Sequence, residues 1–263
     1  MLLLRKICFL LFLILDLSFA ALIQVYRDTS APNLAGSADS VYLWSAVATF
    51  NQYVTNGQLV QIAEDGFKSM LLNAWGSVDP NRIPLVMTAI VHENENKQWD
   101  VYLASSTKGK ESLVYQVTKS SRGKQRCGVV WETVPVSLKN ALDTCSRETG
   151  VGQHQFDAKC GEMTALLEIA SKTGQDPRDI AASSRIVTWQ GYYDDEGVYE
   201  RGRIKAPCWS EGNFGCRDTL RALASSIQVV NTGRQSYANN QPVGISFQPI
   251  FPGYETGAQR RPS

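Results

Sequence analysis

Three cysteines and one glutamate form the pattern in this sequence that is best suited to chemistry. Cys160 and Glu162 flank a glycine near the start of a predicted helix, and Cys208 follows a proline. Cys216 begins the next predicted helix. Helix N-termini favour the thiolate over the thiol, because the positive end of the helix stabilises negative charge. The pattern therefore predicts a metal site in which sulfur atoms hold one cation beside a carboxylate.

Zinc is the cation that such a donor set suits. Three protein ligands leave the fourth tetrahedral position open for water, and zinc lowers the pKa of that water toward neutrality. A carboxylate that lies beside the metal, but does not bind it, can pass the water's proton to a ring nitrogen and a leaving amine. The layout is therefore suited to hydrolytic deamination.

These residues carry a resemblance to a known family. Residues 83–231 resemble the cytidine-deaminase-like superfamily, especially the divergent deaminase domains of secreted toxins and fungal proteins. Its usual signature is His- or Cys-x-Glu followed by Pro-Cys-x-x-Cys. Here the first half is Cys160-Gly161-Glu162, and the second half is Pro207-Cys208 with a later cysteine at 216. The resemblance implies an α/β protein with a three-layer fold, in which helices flank a central mixed sheet.

The resemblance also implies a role for each residue. Cys160, Cys208 and Cys216 would bind zinc, and Glu162 would transfer protons. Seven residues, 209–215, separate the last two cysteines where the superfamily usually has two. Cys208 is therefore expected to reach the metal from a looped insert, for which Gly212 and Gly215 provide flexibility.

Residues 1–20 have the features of a secretory signal peptide. A basic pair, Arg5 and Lys6, precedes an apolar run that ends in Ser18-Phe19-Ala20, a small-x-small cleavage pattern. The run is too short for a membrane anchor, and Asp16 interrupts it. We therefore expect the mature chain to be secreted and not to insert into a membrane.

Five cysteines remain once residues 1–20 are removed, and disulfides use cysteines in pairs. Two accounts of this odd number stay open. In the first, Cys160, Cys208 and Cys216 hold zinc, and Cys127 forms a disulfide with Cys145. In the second, Cys208–Cys216 and Cys127–Cys145 are both disulfides, and Cys160 is an unpaired thiol. The order of the two motif halves favours the zinc site.

The charge balance argues against a broad nucleic-acid interface. The 263 residues include 26 Lys+Arg and 25 Asp+Glu, for a formal net charge of +1, and removing residues 1–20 leaves 24 of each. Tracking along a polynucleotide needs a basic surface. A free base, a nucleoside or a short single strand is therefore favoured as substrate. The two histidines are too few for a three-histidine zinc site.

Aromatic residues near the expected ligands are candidates for stacking on a base. Trp209 and Phe214 are the preferred pair, because they lie between two of the cysteines. His154 is interpreted as a loop histidine, with pocket lining as the alternative, and His92 as a solvated residue in a hairpin turn. Three basic residues alternate along the predicted strand before Pro207, which is typical of a solvent-exposed face: Arg201, Arg203 and Lys205.

Apolar spacing predicts the elements that position these residues. Two amphipathic helices are expected within 41–75, with a break near residues 55–57. A hairpin follows within 83–104, then a helix over 156–172 that Gly174 ends. A second hairpin is expected within 185–204, and a helix that leads into a short strand within 218–231.

We therefore divide the chain into a signal peptide (1–20), an N-terminal helical region (21–82), a deaminase-like domain (83–231) and a C-terminal tail (232–263). The expected function is a secreted, zinc-dependent hydrolytic deaminase that acts on a nucleobase, with an effector or toxin role. The alternative is a non-enzymatic secreted effector or binding protein that disulfides stabilise.

Overall fold

The structure is a computed structural model that describes residues 23–28, 41–109, 112–119, 125–130, 133–150, 154–181, 184–209, 214–223, 226–231 and 244–248. The expected signal peptide lies outside these residues, as does most of the expected C-terminal tail. None of the helices in the described part is both long and apolar enough to cross a membrane.

The chain alternates between strands and helices along its length. The helices are α1 (Asn56–Ala74), α2 (Val136–Thr149), α3 (Gly161–Thr173), α4 (Pro177–Ala181) and α5 (Cys216–Leu223). The strands before α2 are β1 (Tyr26–Arg27), β2 (Val41–Tyr42), β3 (Trp44–Phe50), β4 (Val86–Glu93), β5 (Trp99–Ser105), β6 (Lys108–Gly109), β7 (Tyr115–Lys119) and β8 (Gln125–Val130). The later strands are β9 (Arg185–Tyr193), β10 (Tyr199–Ile204), β11 (Gln228–Val229) and β12 (Gly244–Gln248).

Eight of these strands form one central sheet. Its order is β1-β3-β5-β4-β9-β10, with β12 also paired to β3 and β11 also paired to β9. Every pair is antiparallel except β11 with β9, which are parallel. The pairs β2–β6 and β7–β8 form two small separate sheets.

Helices cover both faces of the central sheet, as expected for an α/β protein. Successive strand residues point to opposite faces: on β4, Ile90 belongs to the core shared with α3, whereas Ala89 and Val91 belong to the core shared with α1. Helices α2 and α5 pack together on the α3 side. The site cysteines belong to that side, so α3 and α5 are the elements that position them.

The predicted helix at the start of 41–75 is wrong, because this segment forms strands β2 and β3. Six of the seven residues of β3 are buried, since both faces of the sheet are covered there. A strand buried on both faces is apolar without alternation, and its pattern does not differ from that of a buried helix. Strand β3 pairs with β5 along its length, so part of the segment 21–82 belongs to the central sheet.

The second helix of that segment is confirmed, and it begins where the break was predicted. The Thr55 side chain accepts a hydrogen bond from the backbone N–H of Gln58 at 3.2 Å, and the Gln58 side chain accepts one from the N–H of Thr55 at 2.8 Å. This reciprocal pair satisfies two backbone donors that the first turn leaves without helical partners.

The two hairpins predicted around the site residues are confirmed: strands β4 and β5 form the first and β9 and β10 the second. Helix α3 ends before Gly174 as predicted, and Gly174 adopts the left-handed conformation with φ of 67°. The predicted start at residue 156 is wrong, because residues 156–158 have positive φ and form a separate turn, and α3 begins at Gly161. Within the expected tail, strand β12 pairs with β3, so this part of residues 232–263 also belongs to the sheet.

His92 differs from its predicted place in the first hairpin. It lies on β4 rather than in the turn, and it is buried. Its ring stacks on Tyr102 of β5, with ring centroids 5.5 Å apart and 4° between the planes. His92 is therefore a packing residue of the sheet and not a solvated turn residue.

Candidate metal centre

The three predicted cysteine ligands come together at the N-termini of two helices. Cys160 is the residue immediately before α3, Cys216 is the first residue of α5, and Cys208 lies in the segment that follows β10. The Sγ atoms of Cys160 and Cys208 are 3.4 Å apart. The Sγ of Cys216 lies within 4.8 Å of each of them. Ligands at 2.3 Å from a tetrahedral zinc are about 3.8 Å from one another, so the sulfur spacing suits that ion.

Backbone contacts hold Cys208 against the start of α5 despite the long interval in sequence. The N–H of Cys216 donates to the Sγ of Cys208 at 3.1 Å, and the N–H of Arg217 donates to the Cys208 carbonyl at 3.3 Å. A Cβ at position 215 would overlap that carbonyl oxygen, so the close approach requires Gly215. Residues 210–213 of the expected loop lie outside the described residues.

Cys160, Cys208 and Cys216 are free cysteines. The structure therefore contains no disulfide between Cys208 and Cys216, which the alternative account of the cysteines requires.

The predicted disulfide between Cys127 and Cys145 is also not present, since Cys145 is a free thiol. Cys145 lies on α2 and is buried in the core next to α5. Burial raises its pKa to about 11, and the hydroxyl of Thr219 acts against this rise through a hydrogen bond. Because its side chain faces α5 within the core, Cys145 is a packing residue. Cys127 lies on β8, and its side chain is outside the described part.

Glu162 lies in the first turn of α3, where it is buried beside the sulfur atoms. One carboxylate oxygen is within 4.8 Å of the Sγ atoms of Cys160 and Cys216. The Thr188 hydroxyl donates to Oε1 of Glu162 at 3.0 Å, and the Thr88 hydroxyl lies 2.9 Å from that of Thr188. Burial raises the pKa of Glu162. The two threonines, from β4 and β9, therefore fix the orientation of this carboxylate.

The thiols differ in how readily they lose a proton. Hydrogen bonds from Cys160 and Cys216, with a further contribution from His154, hold the pKa of Cys208 well below its usual range. The hydrogen bond to Cys208 raises the pKa of Cys160, and burial raises that of Cys216. Binding of a divalent cation by all three sulfur atoms requires them as thiolates and would therefore release protons.

His154 is a fourth candidate donor that the sequence interpretation missed. It is 1% exposed, and one of its ring nitrogens lies within 4.8 Å of the Sγ atoms of Cys208 and Cys216. Nδ1 is hydrogen-bonded to the carbonyl of Gln155, whereas the buried Nε2 has no hydrogen-bond partner among the described residues. A histidine whose Nδ1–H donates to a backbone carbonyl presents Nε2 for a metal. The only signal in the sequence is its position six residues before Cys160.

A cavity of about 280 Å³ opens beside the sulfur atoms. Cys160, Glu162 and Cys208 line it, together with Thr188 and Gln190 of β9. A small ligand in this cavity would therefore contact the carboxylate and two of the thiols directly.

Neither of the predicted stacking residues lines this cavity. Phe214 is fully buried and packs edge-on against the ring of His154, with centroids 5.6 Å apart. Trp209 is 50% exposed, and the guanidinium of Arg217 lies 4.1 Å from its ring centroid. The aromatic residue that does line the cavity is Phe156, which sequence position alone did not single out.

Gly161 allows α3 to approach the sheet closely enough to place both Cys160 and Glu162. A Cβ at this position would clash with the Thr88 hydroxyl and lie 3.2 Å from the carbonyl oxygen of Ala104. We expect Gly161→Ala to destabilise the protein by about 1–3 kcal/mol, as overpacking of a core does, with a lower Tm in thermal unfolding.

Gly66→Ala on α1 is the matched control for that variant. Its Cβ would meet only the flexible side-chain ends of Leu103 and Met87, at 3.1 Å and 3.4 Å, and alanine favours a helix over glycine. Its Tm should change less. An unchanged Tm for Gly161→Ala would show that α3 can move off β4 at no energetic cost.

A scan against protein-family models, a search of curated proteins and a search of solved structures each find no match to this chain.

Proposed function

We propose that this protein is a zinc-dependent hydrolytic deaminase that removes the exocyclic amino group of a nucleobase, and that it belongs to the cytidine-deaminase-like superfamily. The main support is the convergence of Cys160, Cys208 and Cys216 beside the buried carboxylate of Glu162. These are the residues that both halves of the motif indicate.

The order of elements around the site also supports the proposal. The resemblance implies a hairpin, a motif helix, a strand, a second motif helix and a final strand. The chain has the hairpin β4–β5, helix α3, strand β9, helix α5 and strand β11 in that order. Strand β10 is an addition, which follows β9 and forms a hairpin with it. Strand β11 is parallel to β9, as a connection through α5 allows.

The donor set fits a zinc ion, which Cys160, Cys208 and Cys216 would hold. Zinc on three protein ligands supplies a water of lowered pKa at its fourth position. The buried Nε2 of His154, which has no hydrogen-bond partner among the described residues, lies beside the sulfur atoms and as a ligand would take that fourth position.

Glu162 is assigned the proton transfers of the reaction. In hydrolytic deamination, water adds to the ring carbon that bears the amino group, the bond from that carbon to the amino nitrogen breaks, and ammonia leaves as the ring carbonyl forms. Glu162 takes a proton from the water and delivers it to the ring nitrogen, and it then takes the remaining proton from the added hydroxyl and delivers it to the leaving amine. Its hydrogen bond from Thr188 fixes which oxygen faces the cavity.

Two measurements on the purified protein test the proposal together. Elemental analysis should find about one zinc per chain, and Cys160, Cys208 and Cys216 should all be free of disulfides. The zinc-loaded protein should release ammonia from at least one member of a panel of cytosine, adenine and guanine bases, nucleosides and nucleotides. A chain without zinc that carries a Cys208–Cys216 disulfide would refute the metal site, and zinc without ammonia release would refute the catalytic assignment.

A second candidate is a non-catalytic secreted effector or binding protein with a structural zinc site. The observation that favours it is His154, because three cysteines and one histidine make a closed four-ligand site of the structural type. The disulfide-stabilised form of this alternative has no support among the four cysteines described as free. Secretion and an effector role are predictions under both candidates.

The two candidates differ in whether the metal has an open position. We expect the visible spectrum of the Co²⁺-substituted protein to change on addition of azide, because a three-cysteine site keeps one position for an external ligand. His154→Ala should respond in the same way. A wild-type spectrum that ignores azide, together with a response from His154→Ala, would make His154 the fourth ligand and favour the structural site.

A further inference from the structure

We infer that the cavity beside the metal centre binds a nucleoside monophosphate, with lysines contacting the phosphate and Phe156 stacking on the base. This inference rests on the proposed function and specifies its substrate class.

The charge of the cavity wall is the first observation. Three lysines line the cavity, and among the residues that the structure describes the only acidic one that lines it is the buried Glu162. The lysines come from three separate places in the fold: Lys108 of β6, Lys159 just before Cys160, and Lys205 just after β10. A chain with a formal net charge of +1 therefore concentrates positive charge at this opening.

Two of the three lysines remain available to an anion. The third, Lys159, donates to the carbonyl of Gly109 at 3.0 Å, which places its ammonium group beside β6. Lys108 and Lys205 form no ion pair with the described acidic residues. Ammonium groups without carboxylate partners at the mouth of a cavity are suited to a phosphate group.

Phe156 is the second observation, independent of charge. It is 61% exposed although it is a large apolar side chain, and it lines the same cavity. Its backbone is in the left-handed region, with φ of 56°, as are Asp157 and Ala158 at 55° each. Such conformations are unfavourable for residues other than glycine, and they concentrate at ligand sites.

Hydrogen bonds maintain this unusual turn. The Ser112 hydroxyl donates to the carbonyl of Asp157 at 2.7 Å, and the N–H of Gln155 donates to the carbonyl of Phe214 at 2.8 Å. The surroundings therefore hold an exposed aromatic ring at the cavity. A planar base is the ligand group that such a ring suits, since every nucleobase has a face on which it can stack.

Size and net charge favour a mononucleotide over a polynucleotide. The volume of about 280 Å³ lies just below the usual range for small-molecule sites. The basic residues that line it surround one opening, whereas a polynucleotide site follows the backbone over several nucleotides.

The test compares ligands that differ only in the phosphate. Cytidine, cytidine 5′-monophosphate, adenosine and adenosine 5′-monophosphate are titrated into the purified zinc-loaded protein by calorimetry at low salt. We expect at least one monophosphate to bind about 10-fold more tightly than its nucleoside, with the difference shrinking as salt is raised. Lys108→Gln and Lys205→Gln should each weaken monophosphate binding about 3- to 10-fold and leave nucleoside binding unchanged.

Lys97→Gln is the matched control, since Lys97 is an exposed lysine that faces Glu93 away from the cavity; it should bind like the wild type. Phe156→Ala should weaken nucleoside and monophosphate binding alike by about 10-fold, and Phe156→Tyr should restore both. Equal affinities for nucleoside and monophosphate, or lysine variants without effect, would overturn the inference. A cytidine oligonucleotide that binds far more tightly than the monophosphate would overturn the assignment to a mononucleotide.

Ammonia release, measured with the same ligands, separates this inference from the proposed function. Phosphate-dependent binding without ammonia release would leave the binding site in place and refute the deaminase. Equal ammonia release from nucleosides and monophosphates at equal affinity would support the deaminase and refute the phosphate site.

Discussion

Glu162→Gln is expected to lower ammonia release by about 100- to 10,000-fold, the range that general acid–base catalysis contributes. Glutamine has the same shape and keeps an oxygen that can accept the hydrogen bond from Thr188, which Oε1 of Glu162 accepts at 3.0 Å. It cannot take up and release a proton. Zinc content and Tm should therefore stay close to the wild-type values while the rate falls.

Glu93→Gln provides the control for this experiment, because Glu93 is an exposed residue at the end of β4. It should retain the wild-type rate. An unchanged rate for Glu162→Gln would remove this residue from the mechanism. A loss of zinc in Glu162→Gln would instead make the carboxylate a metal ligand rather than a proton-transfer group.

The position of the sulfur cluster could be predicted because each cysteine has a local signal. Cys160 and Cys216 lie close to the predicted starts of helices at residues 156 and 218, and Cys208 follows a strand that ends before Pro207. The two helices pack in the same core, which brings these residues together. Glu162 follows from Cys160, since it lies two residues further along, in the first turn of α3.

The cavity wall could not be predicted, because its residues converge only through tertiary contacts. Lys108 and Lys159 are brought together by the hydrogen bond from Lys159 to the neighbouring Gly109. Proximity in sequence to a ligand also does not determine the direction of a side chain. Phe214, one residue before Gly215, points into the core against His154, whereas Phe156 is exposed.

His154 shows the same limitation at the metal centre itself. Its backbone N–H donates a hydrogen bond to the Tyr115 hydroxyl oxygen at 3.2 Å, and its ring packs against Phe214. Both partners are distant in sequence, so no periodic pattern marks this histidine as buried. The predicted disulfide between Cys127 and Cys145 was wrong for a related reason. Counting cysteines does not indicate that the Cys145 side chain faces α5.

Cys208→Ser is expected to have the largest effect on metal binding. The Sγ of Cys208 lies 3.4 Å from that of Cys160 and accepts a hydrogen bond from the N–H of Cys216 at 3.1 Å. Hydrogen bonds from Cys160 and Cys216 hold its pKa below the usual range, which favours the thiolate form that binds metal. Loss of a group that only supports a ligand lowers metal affinity 10- to 100-fold, so loss of this ligand should lower zinc affinity at least about 100-fold.

That loss should also appear as lower stability. A ligand that binds only the folded state stabilises it according to its concentration relative to Kd, so a 100-fold weaker site gives up about 2.7 kcal/mol at saturating zinc. For a chain of this size the Tm of the zinc-loaded protein should fall by about 5–10 °C. Chelator should lower the Tm of the wild type by more than this difference and that of Cys208→Ser by correspondingly less, so that the two metal-free proteins have similar Tm values. Cys145→Ser is the control, because Cys145 is buried on α2 outside the sulfur cluster: it should lose stability through packing but keep the zinc-dependent part of its Tm. If Cys208→Ser retains that zinc-dependent part as well, the ion is not held by the three sulfur atoms.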